Sequence, residues 1–379
     1  VTGGGTGGHV SPALSVVATL RHMAESEPWV PLFLYVGSAS GIEQQLADQA
    51  GLAFVSVQTG KLRRATSLVG MLTLDNLLDA MRVPLGVLQA LYHLWRFRPN
   101  VLFSTGGFVA VPTVLAAAAL RIPVLIHEQT IQIGLANRIC GRFARRIALS
   151  YENARSELAP QLRARSFVTG NPVRAQIFDG DRERAVDVFG FSREDDGLPT
   201  VYVTGGVQGA HVINEAVRAA LPRLLTSCRL LHQCGEGDYE PLQHAAEQLP
   251  AALRRRYHLT RFVSADIGHA LALADLVVSR GGAGTIAELC ALGKPSILVP
   301  LEPSAGDEQR RNARHMVALG ASVLLPQGEL DADRLLREVN TVLSNPTLLS
   351  GMANNARRQA SPQAARLLAQ ALLELARGR

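Results

Sequence analysis

His9 stands directly behind a run of glycines, Gly3-Gly4-Gly5-Thr6-Gly7-Gly8. An imidazole placed where a glycine turn hands over to a helix can take a proton from a hydroxyl. The helix N-terminus disfavours an imidazolium there, which suits a general base. Glu128 is the second candidate base. It lies in "IHEQT" (Ile126–Thr130), where polar residues follow a buried apolar run and should meet a ligand at the carboxyl edge of a sheet. Glycine loops at Gly3–Gly8, Thr105–Gly107, Gly205–Ala210 and Gly281–Gly284 can bring backbone N–H groups, and the helix N-termini behind them, against an anion. In "GGAGTIAELCALGKP" a helix starting near Ala283 places Glu288 in its second turn, where a carboxylate can accept bonds from both hydroxyls of a ribose.

Other chemistries fit less well. Gly3, Gly5 and Gly8 satisfy Gly-x-Gly-x-x-Gly, but the next strand ends in Gly37 and Ser38, where a nicotinamide site needs an acid. The phrase "VTGGGTGGH" returns at Val203–His211 as "VTGGVQGAH", with Val207 at the middle glycine position. The second copy is therefore no dinucleotide fingerprint, and the match of His211 to His9 reads as coincidence. Asp179-Gly180-Asp181 spells the Asp-x-Asp of metal-dependent sugar transferases, but it lies in a charged linker, away from any strand end. No Gly-x-Ser-x-Gly elbow and no zinc-spaced cluster is present, so neither a metal nor a nucleophile is expected.

The elements that must carry these groups alternate. Short apolar runs at 32–36, 53–57, 101–105, 123–127 and 146–150 read as strands of a first half, with helices between them. Runs at 200–204, 228–234, 275–279, 295–300 and 321–325 do the same in a second half. Such runs predict an α/β fold of two doubly wound, Rossmann-like domains with parallel sheets covered on both faces. The charged stretch from Ala175 to Pro199 breaks the rhythm and sets the boundary near Arg174. The first domain is then 1–174 and the second 175–360. A last helix, capped by Ser361 with Pro362 at its first position, should span 361–379 and fold back on the first.

The 379 residues exceed one ordinary core and are 47% hydrophobic and 18% charged, as in a folded soluble protein. Net charge is +6, nearly all from Arg, since Lys occurs only at 61 and 294. That balance suits an anionic partner, whereas 5% aromatic content argues against stacking on nucleic acid. The four scattered cysteines read as reduced core residues of a cytosolic protein. The stretch from Phe108 to Ile126 is broken by Pro112, Arg121 and Pro123, which makes it a helix and a strand, not a membrane span. The chain opens without Met and almost on a glycine loop, so part of a first strand is expected before Val1.

Taken in order, "GGGTGGH", "STGGFVAVP", "IHEQ…GLANR", "GNPVR" (Gly170–Arg174), "GGVQGA", "GGAGTIAEL" and "DEQRRNA" (Asp307–Ala313) resemble the MurG family over nearly the whole chain. These are the bacterial transferases that add N-acetylglucosamine to lipid I to make lipid II of peptidoglycan. The resemblance implies a GT-B architecture with the two domains facing a cleft, inversion at the anomeric carbon, and no bound metal or cofactor. It implies that the second domain holds UDP-N-acetylglucosamine. Glu288 would hold the ribose. Arg174, Gln208, Gly209, Ala283, Gly284 and Thr285 would hold the diphosphate. Backbone at Val263 would read the uracil, and Gln309 the donor sugar. Thr6, Gly7, Gly8 and His9 would face that sugar, and Gly106, Gly107 and Asn137 would lie on the side of the undecaprenyl-linked acceptor.

Three positions depart from the family pattern. Thr130 replaces an Asn, Val207 replaces a Ser that gives a hydroxyl to phosphate, and Glu308 replaces the first Gln of a pair. They leave room for another sugar or acceptor in a related GT-B transferase, or for a UDP-sugar epimerase. The region Lys61–Pro99 mixes "KLRR" with "LLDAMRVPLGVLQALYHLWRFRP" and few acids, which suits peripheral seating on anionic lipid at the cytoplasmic face of the plasma membrane.

Overall fold

The computed structural model describes residues 1–5, 7–39, 41–60 and 74–378, the side chains of 74–81 and of Ala305 excepted. The "KLRR" segment and Thr6 lie outside the described residues. The chain forms two compact units, Val1–Arg174 with Ser361–Arg379, and Ala175–Ala360.

In the first unit, strands β1 (Leu34–Gly37) and β2 (Ala53–Ser56) pair in parallel, as do β3 (Leu102–Ser104), β4 (Val124–Glu128), β5 (Arg146–Leu149) and β6 (Ser166–Val168). Thr2 joins the two groups, bridging Val36 on one side and Ser104 on the other, both in parallel. The spatial order is therefore β2, β1, Thr2, β3, β4, β5, β6. The direction of strand succession reverses between Thr2 and β3. In an open parallel sheet, the loops leaving the strands on either side of that reversal diverge and leave a crevice for a ligand. Here those loops are Gly3–Gly8 and Thr105–Gly107.

The second unit repeats the plan. Its strands are β7 (Thr200–Thr204), β8 (Arg229–Gln233), β9 (Tyr257–Thr260), β10 (Leu276–Ser279), β11 (Ser296–Leu298) and β12 (Ser322–Leu324). They run in the order β12-β11-β10-β7-β8-β9, all parallel. The reversal falls between β7 and β10. The loops leaving these two strands are Gly205–Ala210 and the turn into the helix Ala283–Leu292. Each unit thus places two glycine loops at its own switch point.

Apolar residues fill both faces of each sheet. Val201, Val203, Leu230, Leu276, Val278 and Ile297 pack with the inner side of the helix His211–Leu224 in the second unit. All four cysteines are buried and free.

Two local expectations are corrected. The last helix is Ala364–Arg377 with Gln363 at its cap, so Ser361 and Pro362 precede it in a turn. Ser361 instead packs on Gly170, whose φ of 80° and lack of a side chain admit it. Leu368 and Leu372 of that helix join the core of the first unit with Val10, Val16 and Val17. Nor is the charged stretch after Arg174 a loose linker. Asp181 accepts the Arg184 N–H (2.9 Å) as cap of the helix Arg182–Val188, which packs on the helix Ile267–Leu273. Arg182 ties the two by donating to Leu273 O (2.9 Å) and pairing with Asp275 (2.9 Å). The Asp-x-Asp spelling therefore contains a helix cap.

Candidate active site

The first glycine loop feeds the helix Gly7–Ala24, so His9 is the third helical residue. Its Nδ1 lies 2.9 Å from the Thr105 carbonyl oxygen and 3.0 Å from Gln129 Oε1. Both neighbours are acceptors. Nδ1 therefore carries the ring proton, and Nε2 keeps a free lone pair. Gln129 is itself fixed, because its Nε2 donates to Thr105 O (2.8 Å) and to His127 O (3.0 Å). In the sequence Gln129 is the third of three consecutive polar residues, His127, Glu128 and Gln129, expected to face a cleft at the end of β4; its link to His9 has no local signal.

Glycine is required around the ring. Gly107 has φ 78°, and a β-carbon there would strike the Gly4 carbonyl and approach His9 Cδ2 to 3.3 Å. Gly106 faces Asn137, and Asn137 Nδ2 donates to Glu128 Oε2 (2.9 Å). The structure thus brings His9, Gly106, Gly107, Glu128 and Asn137 into one cluster at the switch point of the first unit. Gly7 and Gly8 open the helix beside it.

Glu128 is 3% exposed and its carboxylate is fully engaged. Oε1 accepts from Thr130 N (3.2 Å) and Thr130 Oγ1 (3.0 Å), and Oε2 from Gly134 N (2.9 Å) and Asn137 Nδ2. The carboxylate binds the 130–137 turn together. Thr130, a departure from the family pattern, supplies a hydroxyl donor in that arrangement.

A carboxylate does reach the end of β1, although the strand itself ends in Gly37 and Ser38. Glu43 turns back so that Oε1 accepts from Ser38 N (3.2 Å) and Ser38 Oγ (2.6 Å). It is fully buried and wedged against Gly4, Gly37 and Gly41, so it braces the first glycine loop and offers nothing to a ribose.

His127 is also fully buried, with Nε2 3.0 Å from Gly170 O. Burial pushes it down to about 4, partly opposed by the Gly170 carbonyl. In the second unit, burial pushes His232 down to about 3. Below pH 6.5 the unfolded chain takes up protons that these folded rings refuse until pH nears their own values. Stability therefore falls with falling pH, by about 1.4 kcal/mol per pH unit for each ring. The urea midpoint should drop steadily from pH 6.5 to pH 4.5. A flat midpoint would mean that both rings ionise without unfolding.

In the second unit the loop Gly205–Ala210 runs from β7 into the helix His211–Leu224. Gly209 has φ 78°, and a β-carbon there would overlap the Cys234 carbonyl. The loop therefore lies directly on the end of β8. Gln208 and Val207 are exposed, Val207 by 56%. His211 has no counterpart to the His9 arrangement. Its Nδ1 pairs with Asp238 Oδ1 at 2.6 Å, and that contact raises its affinity for a proton.

Ala283, Gly284 and Thr285 form the first turn of the helix Ala283–Leu292, and Glu288 lies in its second turn. Four peptide N–H groups at such a helix start have no helical partner and point at whatever anion is present. The preceding turn is held from the helix Glu308–Ala318. Asn312 Nδ2 donates to Gly281 O (3.2 Å), and the Gln309 backbone fills the space a Gly281 side chain would need. Gln309 Oε1 accepts the Leu301 N–H at 3.0 Å. Glu308 opens this helix, where a carboxylate complements the dipole. Val263 is 4% exposed, and its N–H donates to Gln233 Oε1 at 3.1 Å. Arg174 closes the first unit.

Residues 1–149 match the Glycosyltransferase family 28 N-terminal domain, and residues 200–368 match the Glycosyltransferase family 28 C-terminal domain. The two Rossmann-like units and their switch-point loops are those of a GT-B glycosyltransferase. A UDP-N-acetylglucosamine--N-acetylmuramyl-(pentapeptide) pyrophosphoryl-undecaprenol N-acetylglucosamine transferase of Lachnoclostridium phytofermentans is 36% identical over 91% of this chain and 90% of its own. The enzyme of that name from Listeria monocytogenes is 35% identical over 99% and 98%. A crystal structure of Acinetobacter baumannii MurG aligns over 99% of this chain and 98% of its own, with 25% identity and a TM-score of 0.73. The chain belongs to the MurG family. A UDP-GlcNAc 2-epimerase from Neisseria meningitidis, at 15% identity over 96% of this chain and 97% of its own with a TM-score of 0.67, shares the fold.

Proposed function

We propose that the protein moves N-acetylglucosamine from UDP-N-acetylglucosamine to the muramyl 4-hydroxyl of undecaprenyl-linked lipid I, forming lipid II of peptidoglycan. The observation that carries the chemistry is His9, with its proton held on Nδ1 by two oxygens and a bare Nε2 at a switch-point loop. Nε2 takes the proton of the attacking hydroxyl. The hydroxyl oxygen bonds to the anomeric carbon as the bond from that carbon to the diphosphate breaks, and the configuration inverts. Thr105 O and Gln129 Oε1 then face the imidazolium and stabilise it. Glu128 and Asn137 act as positioning groups, holding the 130–137 turn beside Gly106.

The second unit binds the donor. The 205–210 loop and the N-terminus of the helix Ala283–Leu292 surround the diphosphate with N–H groups, and Arg174 adds positive charge. Charge on departing UDP grows against dipoles already in place. Glu288 takes the ribose hydroxyls, Val263 the base and Gln309 the sugar. With Oε1 committed to Leu301, Gln309 has its Nε2 group to give.

The decisive assay is labelled transfer from UDP-N-acetylglucosamine to a lipid I analogue. Absence of lipid II, or acceptor-independent release of UDP with a 2-epimerised sugar, would overturn the assignment. In the same assay Glu288→Ala should raise donor KM by about 10–100-fold, the worth of hydrogen bonds to a charged group, with a small effect on acceptor KM.

Membrane seating has its own support. The helix Leu74–Phe97 buries Ala90 and Leu94 but exposes Leu85, Leu88, Tyr92 and Trp95 by 49–64%. Their spacing of three and four makes one outward apolar stripe, with Arg82, Arg96 and Arg98 exposed near it. No described helix is long and apolar enough to cross a membrane. The stripe lies in the interface at the cytoplasmic face, and the arginines meet anionic headgroups. Leu88→Ser with Trp95→Ser should cut sedimentation with anionic vesicles at least several-fold while sparing UDP binding. Unchanged sedimentation would remove the stripe from the membrane contact.

A further inference from the structure

Gln233 ends β8 and is 3% exposed, yet both ends of its amide are used, and for different loops. Nε2 donates to the Gly206 carbonyl oxygen at 2.8 Å. Oε1 accepts the Val263 N–H and the Tyr202 hydroxyl, each at 3.1 Å. One side chain therefore spans from the loop after β7 to the loop after β9. The residues flanking it are pinned. His232 Nε2 lies 3.0 Å from Asn214 Oδ1, and Asn214 Nδ2 donates to Cys234 O at 2.8 Å.

The bond to Gly206 has a directional consequence. In a trans peptide the C=O and the following N–H point in opposite directions. With Gly206 O drawn inward by Gln233 and also accepting from Gly209 N (3.2 Å), the Val207 N–H is turned outward. Val207 lacks the hydroxyl that the family pattern places there, so this backbone donor is what position 207 can offer an anion.

We infer that Gln233 is a positioning residue that sets the spacing between the diphosphate loop and the base-reading residue, so that the two halves of a nucleoside diphosphate bind as one ligand. The inference rests on the donor reading given above. Base and diphosphate are covalently joined, so binding the first half presents the second at high effective concentration only if the two subsites are correctly spaced. Loss of the spacer leaves each subsite able to hold its own fragment but misplaces the pair.

The test is calorimetric binding of UDP, uridine and inorganic pyrophosphate to the full chain as wild type, Gln233→Met and Gln233→Glu. Met keeps the length and removes both bonds. Glu keeps the acceptor for Val263 and loses the donor to Gly206. In both variants UDP should weaken by about 10-fold or more while uridine and pyrophosphate stay within about 3-fold, and donor KM should rise with acceptor KM unchanged. Tyr202→Phe, which removes the third bond without touching either loop, should leave UDP within about 3-fold. The inference is overturned if UDP keeps wild-type affinity in both Gln233 variants. It is equally overturned if uridine alone falls as far as UDP, or if Tyr202→Phe costs as much as Gln233→Met. A wild-type protein that fails to bind UDP would instead sink the donor reading itself.

Discussion

A His9→Ala protein should transfer N-acetylglucosamine to a lipid I analogue about 10²–10⁴-fold more slowly than wild type, with UDP affinity within about 3-fold. The split follows from where His9 sits. It belongs to the first unit, whereas the groups proposed to hold UDP belong mainly to the second. Its hydrogen bonds run inward to Thr105 and Gln129, so removing the ring costs the site a proton acceptor and little framework. A supporting variant separates base from scaffold. Gln129→Met keeps His9 but deletes one of the two oxygens that hold the proton on Nδ1, and it should lower kcat by about 10-fold through a less favourable tautomer. Near-normal kcat in His9→Ala would transfer the base role to another group, with Glu128 the first to examine.

Much of this was legible in the chain because buried parallel strands announce themselves. The ten apolar runs all became strands, and Thr200–Thr204 matched residue for residue. The two strands that escaped notice, β6 and β9, lie at sheet edges. Each β9 residue is only half-buried, and "YHLT" carries no apolar run to find. Strand order was beyond reach for another reason. It depends on which crossovers each half uses, and nothing local encodes that. The order matters here, because it is what gathers Gly3–Gly8 with Thr105–Gly107, and Gly205–Ala210 with Gly281–Gly284.

The candidate site shows the same division. Residues announced by glycine spacing were found, since a close backbone approach has a signature in composition. The partners of residues that act by reaching were not. Gln129, Gln233 and Glu43 matter because of partners 24, 27–31 and 5 residues away, respectively, and in the case of Gln129 also because of His9, 120 residues away. A side chain's partner across the fold leaves no local mark. The common clue is a polar residue at or just beyond the carboxyl end of a buried strand, as in "IHEQ" and "LHQC".

Glu128 is where stability and activity should fall together. Glu128→Ala removes the acceptor of four hydrogen bonds from a site that is 3% exposed. Two of the donors have alternatives. Thr130 Oγ1 also reaches Gln132 O at 2.5 Å, and Asn137 Nδ2 reaches His127 O at 3.2 Å. The backbone N–H groups of Thr130 and Gly134 have no such second acceptor among the described residues, and at about 1–3 kcal/mol for each orphaned donor the loss is about 3–4 kcal/mol. For a unit of this size that corresponds to a drop of about 10 °C in its unfolding temperature. Turnover should fall with it, because Asn137 is released beside Gly106 and the loop that seats His9. Glu128→Gln distinguishes the two roles open to this residue. An amide keeps one oxygen but turns an NH2 toward donors, so a carboxylate that only holds the turn should lose stability and turnover in step. A carboxylate that takes the substrate's proton should instead give a Gln variant of near wild-type melting temperature and no detectable transfer. The four occupied lone-pair directions predict the first outcome, and calorimetric melting alongside the transfer assay reads both.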